Sequence, residues 1–549
     1  MPGVLNSLSA AGLPLNESTI ADYLKRGDGG DGGVDGGVAP YKTLAIGKWH
    51  QGQQPQYLPQ ARGFDRFYGL PFSVDDGEGY VTKCDSVSVS ATGVPSSSFT
   101  DTGNDQGTST RTRTRAVTGT GSGTGTGTAA AMAAAEPLPQ PSPLRLGPSL
   151  PLPLIRQDEQ GSFIVAQPAN LIPLASEWLN FTTRFVDDFA GKHPLFMYIA
   201  FGHVHTATPN INPQVGLRQY AGCQFQGTTS RGPFGDALAE VDWFTGKLVA
   251  HLEAKGMAED TLILFTSDNG PSLRWGLGAG SVGPFQGSAA AFENGTGYTN
   301  TGKGSTWEGG IRMPAFAYWP GRVAPHTSSS EVVSTMDVLP SVLRLAGVPL
   351  PTDRILDGKD SLVDILLHDQ LRARGEGRGE VGRAPSRAPS RAPSESNGGR
   401  TQLSKHTFLP FYNGYYGNVS TAMYAARFGG RFKAHFRTSP GLGGGRWGTD
   451  GHAAAPVWVH DPPLVFDIEA DPSELFPVET ARLPDGFLSD LAAAKAAYEA
   501  TMKLRQIDMS FGFEYALCCG VGCTAPCDKC SCKNAPLPQH NTSSSTRTL

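Results

Sequence analysis

Three short apolar runs in this chain each end in residues equipped for charge or proton chemistry. Thr43–Ile46 leads into Gly47-Lys48-Trp49-His50, and Leu195–Ala200 into Gly202-His203-Val204-His205. Thr261–Phe265 leads into Thr266-Ser267-Asp268-Asn269-Gly270-Pro271. A lysine at a strand end can hold an anionic oxygen, and a neutral histidine can take or give a proton near pH 7. Lys48 and His50 are two residues apart, a spacing that lets both address one side of a pocket; His203 and His205 repeat it. Asp268 and Asn269 offer two hard oxygen donors, suited to calcium or magnesium rather than zinc. Two donors do not fill a six-fold shell, and Asp-Asn-Gly-Pro is also good turn chemistry. The stretch GKGSTWEGGIR (Gly302–Arg312) adds Lys303 among glycines and Glu308, which either orients a cation or lies at a turn. The plain alternatives are an exposed loop lysine for Lys303 and structural histidines at His203 and His326. Taken together, the clusters describe a site for an oxyanion and a hard metal ion.

Such a site needs an open α/β sheet, in which ligands bind at the carboxyl ends of strands. Asp236–Lys255 carries Leu238, Val241, Thr245, Leu248 and Leu252 at helical spacing, with Gly256 as its C-terminal stop. It feeds Thr261–Phe265, a β-α-β signature that predicts a parallel sheet. Met336–Ala346 is a second amphipathic helix, stopped by Gly347 and followed by Pro349. Further on, Ala422–Phe428 and Arg431–Phe436 flank Gly429-Gly430, a hairpin signal. Pro463–Glu469 reads as a third strand there and Leu488–Leu504 as an alanine-rich helix, giving a small antiparallel sheet with one covering helix. Three stretches interrupt this order. Gly27–Gly37 is a glycine-aspartate insertion, and Arg372–Arg400, with its RAPS repeats, is a linker or long loop. From about Ser86 to Leu154 the chain is Ser/Thr/Gly-rich, then Ala- and Pro-rich, and buries too little apolar area to offset ordering entropy. The expected domains are residues 1–365 (catalytic), 366–402 (linker or loop), 403–533 (C-terminal, with a cysteine-rich end) and 534–549 (disordered tail).

At 549 residues two domains are the starting expectation, and a formal charge of -5 argues against a nucleic-acid partner. No run of 18 apolar residues is present, so no membrane span is expected, and Met1–Asn6 lacks the pattern of a signal peptide. Six of the eight cysteines (Cys518, Cys519, Cys523, Cys527, Cys530, Cys532) fall within fifteen residues. Their spacing lacks the paired CxxC arms of a zinc ribbon and favours disulfides. With five N-x-S/T sequons, at Asn16, Asn180, Asn294, Asn418 and Asn541, the cysteines point to the secretory pathway, extracellular or lysosome-like.

The motifs, in order, are GKWH (Gly47–His50), GFDRFYGLPFSVDDG (Gly63–Gly77), HVH (His203–His205) and RGPFGDALAEVD (Arg231–Asp242). TSDNGP (Thr266–Pro271), GKGSTWEGGIRMPAFAYWPG (Gly302–Gly321) and the cysteine-rich end follow. In this the chain resembles the sulfatases, and among them the arylsulfatase A-like group that includes cerebroside sulfatase and N-acetylgalactosamine-6-sulfatase. The resemblance implies an α/β fold with an alkaline-phosphatase-like, mostly parallel sheet and flanking helices, plus a smaller C-terminal antiparallel sheet with a helix. It implies one calcium ion, with magnesium as the alternative, bound by Asp268, Asn269 and two further aspartates, and a cysteine converted to formylglycine. By position, Lys48 and Lys303 would neutralise a sulfate and Ser73 would hydrogen-bond it. His205, with Lys303, would protonate the leaving alcohol, and His50 would take a proton from the formylglycine hydrate. The partners implied are a sulfate-ester substrate and, for the full-length form, the formylglycine-generating enzyme; a homo-oligomer is left open.

The chain departs from the family at one point. The family's nucleophile lies in a Cys-x-Pro-x-Arg motif, and no cysteine here is followed by Pro or Ala at +2 and Arg at +4. That motif and the first two metal aspartates are expected upstream of the region matching Met1, and a sheet without that strand is expected to have a gap. The expectation is a calcium-dependent sulfuric ester hydrolase whose sequence begins late, the alternative being a non-catalytic anion-binding relative. A two-metal phosphatase or phosphodiesterase is the weaker third reading.

Overall fold

The apolar runs become strands whose ends carry the chemistry. The computed structural model describes residues 9–26, 40–84, 150–207, 219–288, 300–368, 403–413, 422–441, 457–502, 510, 515–517 and 532–536. Helix α1 (Ile20–Arg26) precedes strand β1 (Lys42–Lys48), and β2 (Arg66–Leu70), β3 (Leu154–Asp158) and β4 (Gly161–Gln167) follow. Helix α2 (Leu174–Phe189), strand β5 (Leu195–Ala200), helix α3 (Gly232–Ala254) and strand β6 (Ile263–Thr266) continue the chain. A short helix α4 (Glu308–Ile311) and strand β7 (Ala315–Tyr318) lead to helices α5 (Val338–Leu345) and α6 (Ser361–Leu366). The later part holds β8 (Phe408–Tyr412), β9 (Met423–Phe428), β10 (Phe432–Thr438), β11 (Trp458–Asp467), helix α7 (Phe487–Thr501) and β12 (Cys532–Pro536).

The main sheet has the order β12-β4-β3-β2-β1-β5. Its parallel part is β2-β1-β5; β3, β4 and β12 add antiparallel pairs, so the sheet is mixed. The core on one face joins Leu44, Ile46, Leu70 and Leu154 to Trp178, Phe185 and Val186 of α2 and Phe244 and Leu248 of α3. On the other face Ala45, Phe67 and Ile155 pack with Trp49, Leu58 and Phe64. Strand β12 runs across residue 534, where the sequence suggests a tail begins. The low-complexity stretch is also shorter than its composition suggests, because Leu150, Leu152 and Leu154 are buried. In this Leu-Pro-Leu-Pro-Leu run the prolines hold the chain extended, and alternation sends every leucine to one side. The glycine-aspartate insertion, the RAPS repeats and the cysteine cluster up to Cys530 lie outside the described residues.

The apolar runs Thr43–Ile46, Leu195–Ala200 and Thr261–Phe265 do not form one ladder. Strands β1 and β5 are neighbours, whereas β6 pairs antiparallel with β7 in a separate two-stranded sheet. Strand β5, LFMYIA, has the wholly apolar composition of a central strand. Among the described residues it is instead the edge of the main sheet, with Tyr198 46% exposed. The β-α-β reading of β5, α3 and β6 therefore holds in element order but not in direct pairing.

The second sheet, β11-β10-β9-β8, is antiparallel throughout. Gly429 and Gly430 form the β9–β10 turn with positive φ, as the hairpin signal predicts. One face, with Ala434 and Val465, packs on Phe487 and Leu491 of α7. The other face carries Phe466 and packs on Trp307, next to α4.

Candidate functional site

Strand β1 delivers two of the candidate residues to one end of the main sheet. Gly47 has φ +88°, and a Cβ there would lie 2.0 Å from the carbonyl oxygen of Ala200. Only glycine permits that approach of β1 to β5. Lys48 closes the strand opposite Leu70, and His50 follows in the left-handed region, with φ +53°. Its backbone N–H donates to Pro71 O at 3.0 Å, fixing it beside the segment that carries Ser73, Asp75 and Asp76. The site on that segment is tight. Asp76 donates its N–H to Ser73 O at 3.0 Å, which turns both carboxylates back toward the histidines.

Each pocket histidine faces one of these carboxylates. His50 Nε2 lies 3.5 Å from Asp76 Oδ2, and His205 Nδ1 lies 3.7 Å from Asp75 Oδ1. His205 Nδ1 is also 2.7 Å from the carbonyl oxygen of Thr206, a contact that orients the ring. Lys48 and Lys303 both act electrostatically on Asp76 and on His205, so the charges of two lysines 255 positions apart in the chain are felt by the same carboxylate and the same imidazole. The Ser73 hydroxyl is buried and forms no hydrogen bond of regular geometry, although it is near enough to Asp75 to help lower its pKa.

The charges work against one another. Desolvation lowers the pKa of His205, and Lys303 and Lys48 lower it further against the pull of Asp75, so its imidazole is neutral at physiological pH. Desolvation alone would raise Asp75, but His205, Ser73 and Lys303 hold it below the usual carboxylate range. For Asp76, desolvation and then the charge of Asp75 push the pKa up to about 7, with Lys48 and Lys303 opposing. Asp75 and Asp76 were not singled out by residue type. The signal was present: paired carboxylates two and three residues after Ser73, in a segment matching the family.

The Lys303 loop reaches the pocket from a different direction. Lys303 N–H donates to Pro271 O at 2.9 Å, and Gly270 N–H to Gly310 O at 3.0 Å. These two bonds lock the Gly302–Ile311 loop to the segment bearing Asp268 and Asn269. Asp268 is exposed at the end of β6, within electrostatic reach of Tyr198 on β5. The Asn269 amide donates to Gly270 O at 3.0 Å, leaving its side-chain oxygen for another partner. Both donors suit a hard cation, yet calcium takes six to eight oxygens. Among the described residues no group of three or more His, Cys, Asp or Glu side chains is set to hold a metal. The two residues fit a share of a calcium shell and not the whole of it.

His203 stays out of this pocket. It is buried, with Nε2 2.6 Å from Glu240 Oε2 on α3 and its ring against Tyr220. Its role is to anchor the strand end that presents His205. Cys84 and Cys223 are each in a disulfide bond, and among the described residues no helix is long and apolar enough to cross a membrane.

Comparison with known proteins bears on the whole arrangement. The sulfatase family model matches residues 37–348, and a model of the C-terminal region of aryl-sulfatase matches residues 404–532. Human arylsulfatase A is 30% identical over 543 residues, covering 97% of this chain and 82% of that protein. Rat steryl-sulfatase is 33% identical over 344 residues, 60% of this chain and 48% of that one. Among solved structures, a sulfatase from Pseudoalteromonas sp. superposes with a TM-score of 0.58 at 20% identity, covering 92% of this chain and 78% of its own.

Proposed function

Because the chain belongs to the sulfatase family, we propose that the pocket at the β1 and β5 ends binds the sulfate group of a sulfate ester for hydrolysis. The observation that carries this reading is the convergence of Lys48 and Lys303 on the same carboxylate and imidazole. Two cations acting on the same carboxylate and imidazole favour an anion between them, and cations at a developing oxyanion are usually the largest catalytic contribution. The buried hydroxyl of Ser73, beside Asp75, offers a further donor to a sulfate oxygen. His205 and Lys303 are the proton donors to the leaving alcohol. A bound sulfate ester brings a negative charge that would raise the depressed pKa of His205 toward its working range. His50 is the proton acceptor, and Asp76 supports it by stabilising the imidazolium formed.

Asp268 and Asn269 are the residues that would hold calcium, which when bound supplies positive charge next to the sulfate oxygens. The formylglycine nucleophile of the family requires a modified cysteine, and none of the cysteines in these 549 residues stands in its motif. That observation supports a second reading, an anion-binding relative without turnover. The disulfides of Cys84 and Cys223 and the sequons support placement in the secretory pathway.

Titration of the chain with inorganic sulfate tests the pocket. Binding that is lost in Lys303→Ala and in Lys48→Ala supports it; binding that ignores both substitutions overturns it. Turnover of a chromogenic aryl sulfate by the native gene product then separates hydrolase from binding protein.

A further inference from the structure

Behind the Lys303 loop lies a second group of lysine, histidine and carboxylates that the reaction does not use. Lys433 of β10 is fully buried, with Nζ 2.9 Å from Glu308 Oε1 and 3.0 Å from Glu474 Oε1. His435, two residues along the same strand and also fully buried, places Nε2 2.7 Å from Glu474 Oε1 and stacks on Trp307 at 4.4 Å. Glu474 uses its other oxygen to accept the backbone N–H of Glu308 at 2.5 Å, at the start of α4. Glu474 holds φ +54°, a conformation uncommon for a residue with a side chain.

More bonds join the C-terminal part of the chain to this loop and to residues that precede it. Asn413 donates its amide to Gly304 O at 2.8 Å, and Gly441 donates its N–H to Asn300 O at 2.7 Å. Ser473 O accepts the N–H of Gly287 at 2.9 Å. The loop itself is a tight knot: a Cβ at Gly310 would lie 2.6 Å from Ser305 O and 2.7 Å from Gly302 O. A shift of Trp307 and Glu308 is therefore transmitted to Lys303 four and five residues away, because no slack separates them.

We propose that Lys433, Glu474 and His435 are positioning residues for Lys303, and that the C-terminal sheet is an integral part of the anion pocket. They touch neither the anion nor the reacting atoms. They fix the backbone of the loop from below through Glu308 and Trp307, so that the Lys303 ammonium is held where Asp75, Asp76 and His205 feel it. Pre-organisation of this kind raises affinity by removing the ordering cost of the loop at binding. The proposal rests on the reading of Lys303 as an anion-binding residue.

The test compares the full chain with Lys303→Ala, Glu474→Gln, Lys433→Met and Val465→Ala. The readouts are sulfate affinity by calorimetry and hydrogen exchange of the peptide spanning 300–312. Val465 lies in the same sheet but faces α7, so Val465→Ala lowers stability without touching the brace. The expected result is a roughly five- to twentyfold loss of sulfate affinity in Glu474→Gln and Lys433→Met, by loss of pre-organisation, with faster exchange in 300–312. Val465→Ala should change neither. Glu474→Gln is nearly isosteric and retains the bond to the Glu308 N–H, so it reports even where Lys433→Met does not fold. Wild-type sulfate affinity in Glu474→Gln, with binding lost in Lys303→Ala, overturns the brace alone. An equal loss in Val465→Ala also overturns it. Wild-type affinity in Lys303→Ala overturns the anion-pocket reading itself.

Discussion

The pocket and the brace are built from the same residue types on the two sides of one loop. In the pocket, the histidine-carboxylate contacts are 3.5 and 3.7 Å, and the residues are part-exposed. In the brace, every ionic contact from Lys433 and His435 to Glu308 or Glu474 is 2.7–3.0 Å, and all four side chains are buried. Buried charges must be paired closely, because desolvation is otherwise too costly. A ligand site keeps its charges apart, so that an incoming ion completes them. The electrostatics differ in the same sense. Desolvation by itself would raise Glu474, but Lys433 and His435 hold it down at about 2, whereas Asp76 is up at about 7. Like composition thus gives a fixed network in one place and a tunable one in the other.

The largest expected effect is on the brace. Lys433→Met leaves Glu308 and Glu474 buried without their cation, and breaking a buried pair costs about 3–5 kcal/mol. Urea unfolding should show this loss. If Lys433→Met is as stable as wild type, the brace is not a paired charge network. Lys303→Ala should behave oppositely. Removing a charge-assisted bond to an anion is worth about 1.5–3 kcal/mol, or about 10–150-fold in sulfate affinity. Its stability loss should be smaller than that of Lys433→Met, because Lys303 is only part-buried and a part-exposed charge gives up less hydration than a fully buried one. Equal stability losses in the two variants would erase the distinction drawn here.

A third effect comes from acid. The pKa of Glu474 is lowered from 4.5 to about 2 in the folded protein. A depressed carboxylate contributes stability that is fully present above its unfolded pKa and lost as pH falls through the folded one. Wild-type stability should therefore decline between about pH 4.5 and pH 2, and Glu474→Gln should show a shallower decline in that window. A variant with the same slope as wild type would mean that Glu474 carries no linkage.

How much of this was legible in the sequence depended on periodicity. Strand β5 matches its apolar run residue for residue, Lys48 closes β1, and His50 and His205 follow β1 and β5 as the motifs indicate. The brace was not legible, for a definite reason. In Phe432-Lys433-Ala434-His435-Phe436 the polar residues alternate with apolar ones, which is the pattern of a half-solvated strand. The polar face is in fact covered by Trp307 and α4, from more than 120 residues earlier, and strand periodicity cannot report what covers a face. Asp75-Asp76-Gly77 likewise reads as turn chemistry until the histidines are placed beside it. Strand β6 pairs with β7 rather than with β5, because element order gives the sequence of strands but not their pairing.

The smallest expected effect separates the tunable region most cleanly from the fixed one. With Asp76 titrating at about 7, the pocket gains a negative charge as pH rises through neutrality. His205, titrating below its usual value, has already lost its positive charge at that point. Both changes have the same sign, so sulfate affinity should fall with rising pH, in one step below pH 6.5 from His205 and a second near pH 7 from Asp76. A unit charge at about 4 Å is worth about 1 kcal/mol even in a water-like dielectric, so the second step should be at least about fivefold. Asp76→Asn should abolish that step, keep the lower one, and bind sulfate above pH 7 as tightly as wild type does below it. Glu474→Gln should leave both steps where they are, because Glu474, held at about 2, stays ionised across the whole of this pH range. Calorimetric titrations from pH 5 to 9 decide the matter: an upper step that survives in Asp76→Asn would assign the neutral titration to another group and leave Asp76 a bystander beside His50.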